Sequence, residues 1–259
     1  MHSRIPVAEL LATALDAVQV AREVILHYYK TDVRVEMKPD QSPVTIADQK
    51  TEEEIIAVIR KKYPSHAFFG EETGESGDRE SSGDQYTWII DPIDGTKNFI
   101  RQIPLFGTQL AVMHQGEIVA GVSSMPAIGE LLYASKEGGA FLNGKPAQVS
   151  TVQEFAKGAV SFYGYEKDPR FQQVMEFSKQ FAYSRGFGDC YSYHLVATGR
   201  IDAAFEPRIR IWDIAPFAII VPEAGGSISD DAGQKIDLET RSIVATNGLL
   251  HQSVLRHVR

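Results

Sequence analysis

The sequence has little cysteine and no long apolar run, and each shortage excludes a class of protein. Its 259 residues include a single cysteine, Cys190, which excludes an internal disulfide framework or a multi-cysteine metal site. No stretch approaches the ~20 apolar residues of a membrane span. The N-terminal segment carries Glu9, Asp16 and Glu23 instead of the apolar core of a signal peptide. We therefore expect a cytoplasmic protein without a membrane partner.

The chain also has fewer basic than acidic residues. The chain has 26 Lys and Arg against 34 Asp and Glu, a formal net charge of −8. Such a chain gains nothing from long-range attraction to phosphate backbones, which argues against a nucleic-acid partner. If the protein handles anions, a metal ion or a local positive field must offset this repulsion. Hydrophobic residues make up 43% of the chain, enough to build the core of one large domain or two joined halves.

The periodicity of apolar residues changes along the chain. Helical spacing predicts helices at residues 6–28 and 46–63, and Ile55, Ile59 and Tyr63 should face the core. Alternating patterns then predict the neighbouring strands 86–90, 107–114, 118–124 and 131–134, with a hairpin turn at Asn143-Gly144. This run of strands indicates a largely antiparallel sheet.

The last third alternates strands and helices. We predict strands at 160–163, 201–205 and 243–246, and helices at 171–181, 190–198 and 213–224 before a final helix. The chain should therefore divide near residues 151–157. Residues 1–150 would form an antiparallel sheet with flanking helices, and residues 151–259 an α/β half that completes a shared cleft.

Two acids follow an apolar run in the segment 88–99. Pro92 lacks an N–H, so the strand should end there and leave Asp91 and Asp94 on a stiff turn. Gly95 and Thr96 then begin a helix whose free N–H groups favour a phosphate. Two carboxylates beside a phosphate would repel each other and the ligand. A hard divalent cation with oxygen ligands, such as Mg²⁺, removes both conflicts.

Each acidic site also has a purely structural interpretation. Asp91 and Asp94 are common turn residues, and Asp213 can cap a helix. Asp48 lies three residues after Thr45 and can complete a capping box. Glu71 and Glu72 can form a solvated loop. Taken singly, these residues leave both interpretations open.

Several short motifs in order across residues 38–226 together resemble the inositol monophosphatase family. They are Thr45-Ile46-Ala47-Asp48, Gly70-Glu71-Glu72, the segment 88–99, Trp212-Asp213-Ile214-Ala215 and Glu223-Ala224-Gly225-Gly226. The resemblance implies an α/β (α+β) fold, a layered α-β-α-β-α sandwich of the inositol monophosphatase/fructose bisphosphatase type. It further implies a homodimer that hydrolyses small phosphate monoesters with Mg²⁺.

The resemblance also assigns roles to residues. Two or three Mg²⁺ ions per active site would be held by Glu71, Asp91, the carbonyl of Ile93, Asp94 and Asp213. Asp48 and Thr96 match the pair that orients the attacking water and takes its proton, so that metal-activated water acts without a covalent enzyme intermediate. The N–H groups of Gly95 and Thr96 match the phosphate cradle.

The sequence does not decide the roles of two basic residues, Lys38 and His194. The family often has a lysine near Lys38 that approaches the phosphate or third-metal region, but a solvated loop lysine is an equal alternative. His194 has no triad-like partner visible in the sequence, and we expect a core or surface role for it.

The substrate-facing residues favour a cationic leaving group. Glu206 matches the family's glutamate that contacts the organic part of the substrate, and Asp94 and Asp213 should face the substrate as well. Gly188-Asp189-Cys190-Tyr191 looks like the histidinol-phosphate phosphatases of the superfamily. Asp189 and Glu206 would suit the ammonium and imidazole of L-histidinol phosphate, and Tyr191 could stack on the ring.

Other substrates and another class of function stay open. Inositol 1-phosphate, or a sugar phosphate such as fructose 1,6-bisphosphate, is the alternative, and Arg208 and Arg210 would suit a more anionic ester unless they face water. Asp189 could simply cap a helix. A regulatory protein on this fold would be favoured by loss of metal ligands, whereas all four predicted acids are present.

Overall fold

The computed structural model describes residues 5–31, 34–39, 43–76 and 85–259. The first part of the chain holds helices α1 (Val7–Tyr28), α2 (Ile46–Lys62) and α3 (Thr96–Ile100), with strands β1 (Val35–Met37), β2 (Pro43–Thr45), β3 (Ala67–Gly70), β4 (Gly74–Ser76), β5 (Tyr86–Asp94), β6 (Gly107–His114), β7 (Glu117–Met125), β8 (Glu130–Ser135), β9 (Gly139–Leu142) and β10 (Lys145–Pro146). Among the described residues, no helix combines the length and apolar character that crossing a bilayer requires.

The second part alternates helices and strands. It holds β11 (Ala159–Phe162), α4 (Phe171–Ser178), β12 (Tyr183–Arg185), α5 (Asp189–Ala197), β13 (Ala203–Glu206), α6 (Ile211–Ile214), α7 (Phe217–Glu223), β14 (Ser227–Ser229), β15 (Ile243–Thr246) and α8 (His251–Val258). A single turn of 3₁₀ helix, Phe155–Lys157, precedes β11.

Two large sheets organise these elements. The first has the order β10-β9-β8-β7-β6-β5-β3-β4 and is antiparallel except for the parallel pair β3 and β5. The second has the order β12-β11-β13-β15-β14, with β11 parallel to both of its neighbours. The predicted antiparallel sheet is thus confirmed. The division into residues 1–150 and 151–259 stays a prediction. One hydrophobic cluster contains residues from both parts.

Helices cover the sheets in layers. Apolar faces of α1 and α2 pack on one face of the first sheet, where Ile55 and Ile59 are fully buried and Tyr63 nearly so. Helices α5, α6 and α7 fill the space between the sheets, and α4 and α8 cover the outer face of the second. This is the expected α-β-α-β-α sandwich.

The expectation that β5 ends at Pro92 was wrong. The strand runs on to Asp94, and its pairing with β6 shifts register between Asp91 and Asp94. Because the ladder skips Pro92, its missing N–H costs no hydrogen bond. Its carbonyl accepts the Thr108 hydroxyl at 2.9 Å.

The predicted helix at 213–224 is in fact two short helices. α6 ends at Ile214 and α7 begins at Phe217. Pro216 precedes α7 as its N-cap, a place where its missing N–H does no harm but where it cannot continue the hydrogen bonding of α6. The break leaves Asp213 in the short α6.

Candidate active site

Three aspartates meet between the two sheets. Carboxylate oxygens of Asp91, Asp94 and Asp213 lie within 4.8 Å of one another. In a regular strand, residues three apart point to opposite faces. The register shift in β5 between Asp91 and Asp94 changes this alternation and brings both side chains to one centre. Asp213 joins them from α6, where its Oδ2 also accepts the Arg210 N–H at 2.7 Å.

Glu71 lies beside these aspartates. It follows β3, and its N–H donates to the Ile90 carbonyl at 3.0 Å, next to Asp91. Its Oε1 accepts the Lys38 ammonium at 2.8 Å, and Lys38 also pairs with Glu72 at 2.6 Å. Burial alone would lower the pKa of Lys38, but its bonds to these two carboxylates outweigh burial and raise it. Lys38 is therefore a paired residue of the site and not a solvated loop lysine.

The electrostatics of this centre fit a cation. Burial, followed by the charges of Glu71, Asp94 and Asp213, raises the pKa of Asp91 well above its usual range. Burial likewise raises the pKa of Asp213 to about 7. Asp91 Oδ1 is buried and has no hydrogen-bond partner among the described residues. Crowded carboxylate oxygens with a free lone pair are the donor set that a hard divalent cation requires.

The two carboxylate oxygens of Asp48 make different contacts, one at the start of α2 and one with Thr96. Its Oδ2 accepts both the N–H and the hydroxyl of Thr45, at 2.8 and 2.7 Å, and so completes the predicted capping box of α2. Its Oδ1 lies 3.3 Å from the Thr96 hydroxyl, which is also 3.0 Å from the Ile93 carbonyl. Burial raises the pKa of Asp48 to about 6 against the opposing hydrogen bonds from Thr45.

Gly95 is needed at the junction between β5 and α3. Its φ of +82° lies in the left-handed region, which favours glycine. A Cβ there would also meet the Leu105 carbonyl at 3.0 Å and Asp189 Oδ2 at 3.2 Å. The N–H groups of Gly95 and Thr96 consequently lie at the start of α3, beside the aspartates.

A cleft of about 270 Å³ opens from this centre. All four predicted substrate residues line it: Asp94, Asp189, Glu206 and Asp213. Arg208, which the sequence offered for a more anionic ester, lines it as well. The remaining lining residues were not indicated by the sequence: Lys97, Tyr163, Gly164, Glu166, Tyr193 and Ile209. Lys97 could have been suspected, because it follows Thr96 directly. Tyr163 and Glu166 follow β11, and no local pattern connects that loop to the acids.

Two lining carboxylates accept hydrogen bonds from neutral neighbours: Glu206 is buried and Asp189 is half-buried. Asp189 Oδ2 accepts the Asn98 amide at 3.0 Å, and Glu206 Oε1 accepts the Tyr193 hydroxyl at 2.8 Å. Burial raises the pKa of Asp189 to about 6 and that of Glu206 to about 8. Asp189 opens α5 and adopts a φ of +50°, which Asp tolerates better than most residues.

The expected ring-stacking role of Tyr191 is not supported by its position. Its ring packs edge-on against Phe187 at 5.3 Å, and the aromatic side chains that line the cleft are Tyr163 and Tyr193. In a helix, residues two apart point in different directions. The Tyr193 position therefore faces the cleft and the Tyr191 position does not.

Comparison with known proteins identifies the family. The inositol monophosphatase family model matches residues 7–259. A histidinol-phosphatase of Chlorobaculum parvum is 36% identical over 95% of each chain, and human inositol monophosphatase 1 is 35% identical over 98% of this chain and 95% of its own. The structure of an IMPase from Thermotoga maritima superposes with a TM-score of 0.88 at 30% identity, covering 96% of each chain. The chain therefore belongs to the inositol monophosphatase family and is a hydrolase of phosphate monoesters.

Proposed function

We propose that this chain hydrolyses L-histidinol phosphate to L-histidinol and phosphate, with Mg²⁺ as cofactor. The observation that carries the proposal is the pair of carboxylates, the buried Glu206 and the half-buried Asp189, in the cleft beside the three aspartates. Their neighbours Asn98 and Tyr193 donate neutral hydrogen bonds to them. A leaving group that carries an ammonium and an imidazole would supply the positive charge that the carboxylates of Asp189 and Glu206 favour.

The acids of the centre would hold the cofactor. Its ligands would come from Glu71, Asp91, the Ile93 carbonyl, Asp94 and Asp213, around two or three Mg²⁺ ions. When bound, Mg²⁺ neutralises the crowded carboxylates, draws negative charge from the phosphoryl group and makes water more acidic.

The chain's own groups would position the reactants. The Thr96 oxygen, held by Asp48 Oδ1, would orient a water in line with the ester bond. Asp48 would take the proton of that water, so no covalent enzyme intermediate is required. The N–H groups of Gly95 and Thr96 would hold the phosphate oxygens, while Asp189 and Glu206, with the cleft-facing oxygens of Asp94 and Asp213, would hold the organic part.

A second candidate is the hydrolysis of an inositol or sugar phosphate. It is favoured by Lys97 and Arg208, which line the same cleft and would suit a more anionic ester. The relatives are divided in the same way, since those of comparable identity include a histidinol-phosphatase and an inositol monophosphatase.

A panel of phosphate esters tests the proposal. With Mg²⁺ present, kcat/KM would be compared for histidinol phosphate, inositol 1-phosphate, fructose 1,6-bisphosphate and adenosine bisphosphate. We expect histidinol phosphate to be preferred. A preference for inositol 1-phosphate would replace the first candidate by the second.

We further propose a cytoplasmic homodimer. The single thiol, Cys190, is free and buried, which suits a reducing compartment. The dimer rests on the family resemblance. Sedimentation at micromolar concentration tests it, and a monomer would refute it.

A further inference from the structure

The side-chain amide of Gln109 is fully buried, and its hydrogen bonding is unexplained. Gln109 lies in β6, and neither its Oε1 nor its Nε2 has a hydrogen-bond partner among the described residues. Leaving a buried amide unsatisfied is costly, and such groups in native proteins normally bond to a protein atom or an ordered water. The surroundings of Gln109 should therefore supply a partner.

One candidate partner is Asp91. The two residues are directly opposite in the ladder between β5 and β6, so their side chains share one face of the sheet and their Cβ atoms are ~5 Å apart. Asp91 Oδ1 is the buried acceptor without a partner described above. An unsatisfied donor thus lies beside an unsatisfied acceptor.

On its other side Gln109 faces Ser123, its partner across β6 and β7. The Ser123 hydroxyl lies 2.7 Å from His194 Nε2, and His194 Nδ1 lies 3.2 Å from Glu130 Oε2. Arg200 binds both oxygens of Glu130 at 2.6 and 2.8 Å. The triad-like partners of His194 that the sequence did not reveal therefore exist, but Ser123 and His194 are fully buried.

The protonation of this chain of groups follows from its charges. Burial opposes ionisation of Glu130, but its bonds to His194 and Arg200 outweigh burial and lower its pKa to about 2. Burial lowers the pKa of His194, so the neutral ring donates from Nδ1 to the carboxylate and accepts the Ser123 hydroxyl at Nε2. The Ser123 oxygen keeps a lone pair with which to accept an N–H.

We propose that Gln109 is a positioning residue for Asp91. Its Nε2 donates one N–H to Asp91 Oδ1, directly or through one buried water, and directs the other to Ser123. A carboxylate oxygen has two lone pairs, so Oδ1 can accept this bond and still bind a cation. Carboxylates that ligate metals are commonly held by such hydrogen bonds. The inference rests on the proposed role of Asp91 in the metal centre.

The test compares Mg²⁺ binding in two variants of the full chain. Gln109→Met keeps the shape and removes both polar groups, whereas Leu110→Met changes the next residue of β6, which packs in the cluster on the opposite face. Titration calorimetry should show Mg²⁺ bound about 10- to 100-fold more weakly by Gln109→Met, with Leu110→Met unchanged. The metal-free unfolding temperature of Gln109→Met should fall, because loss of the amide leaves the buried Asp91 Oδ1 without its donor. KM for the ester should stay unchanged at saturating Mg²⁺.

An unchanged Mg²⁺ affinity in folded Gln109→Met would overturn the positioning role alone, whether or not its unfolding temperature falls. If Gln109→Met does not fold, Gln109→Asn takes its place, with a smaller loss of affinity expected and an unchanged affinity decisive against the role. A wild-type chain without measurable Mg²⁺ binding would instead overturn the metal centre itself. A crystal structure should show Nε2 bonded to Asp91 or to one bridging water.

Discussion

The Thr96 hydroxyl lies 3.3 Å from Asp48 Oδ1, while Oδ2 of the same carboxylate caps α2 through Thr45. A helix cap and a contact to the candidate active site are thus made by one side chain. The structural and the catalytic interpretations of Asp48 are therefore compatible, and separate substitutions can distinguish their consequences.

Thr96→Val should lower kcat by about 10²- to 10⁴-fold, the usual range for loss of a positioned proton-transfer partner, with little effect on the unfolding temperature. Thr45→Val is the control. It weakens the cap by ~1 kcal/mol and removes one hydrogen bond to Asp48 Oδ2 but leaves Thr96 in place, so kcat should fall much less than in Thr96→Val. Steady-state kinetics and thermal unfolding measure both, and equal kcat values for Thr96→Val and wild type would refute the role of Thr96.

Removing one carboxylate from the metal centre should abolish stabilisation by Mg²⁺. Wild type should gain about 2.7 kcal/mol when Mg²⁺ is at 100 times its Kd, and chelation should remove both this gain and the activity. Asp213→Asn loses a repelling charge and can still accept the Arg210 N–H, so its metal-free form should be at least as stable as wild type. Glu176→Gln, on the exposed face of α4, is the control that should keep the Mg²⁺ effect. A full Mg²⁺ shift in Asp213→Asn would contradict the assignment.

Asp189→Asn should show how much the negative charge of Asp189, as distinct from its shape, contributes to binding the organic part of the substrate. Asparagine tolerates the positive φ and can still accept the Asn98 amide, so the protein should fold as wild type does. Loss of the charge pair between the half-buried Asp189 and a cationic leaving group costs about 2 kcal/mol, the lower end of the usual range, so kcat/KM for histidinol phosphate should fall ~30-fold. The uncharged inositol ring should be nearly unaffected. Asp189→Ser should show the same selectivity, and equal losses for both esters would remove the argument for a cationic substrate.

His66 should make stability depend on pH. Its Nδ1 accepts the Trp88 indole N–H at 2.9 Å, and burial lowers its pKa to about 4. The unfolded chain, with an ordinary histidine pKa of about 6.5, then binds more protons between pH 6.5 and 4. Stability from this group is therefore complete above pH 6.5 and is lost as the pH falls towards 4.

Urea unfolding at pH 7 and pH 4.5 checks this dependence. His66→Phe keeps a ring between Tyr63 and Tyr86, on which His66 stacks, but cannot bind a proton. The loss of stability on acidification should be smaller in this variant than in wild type. An identical loss would show that His66 does not titrate in this range.

The features that the sequence predicted correctly depend on residues close along the chain, and the features that it missed depend on distant ones. The capping box of α2, the turn at Asn143-Gly144 and the start of α3 after Gly95 depend on residues close along the chain, and all were predicted. The bulge at Pro92 was missed because it depends on how β6 pairs with β5. Tyr191 was misplaced because the packing of α5 determines which of its faces meets the cleft.

The sequence by itself determined where most helices and strands form, since periodicity and caps act over one or two turns, and it supplied the acids and the family motifs. Only the tertiary structure decided that Asp91, Asp94 and Asp213 meet within 4.8 Å and that Tyr163 and Glu166 border the same cleft. It also brought Gln109 opposite Asp91. The physical reason is that such encounters depend on strand register and on the packing of two sheets across a helical layer, which are properties of residues far apart along the chain.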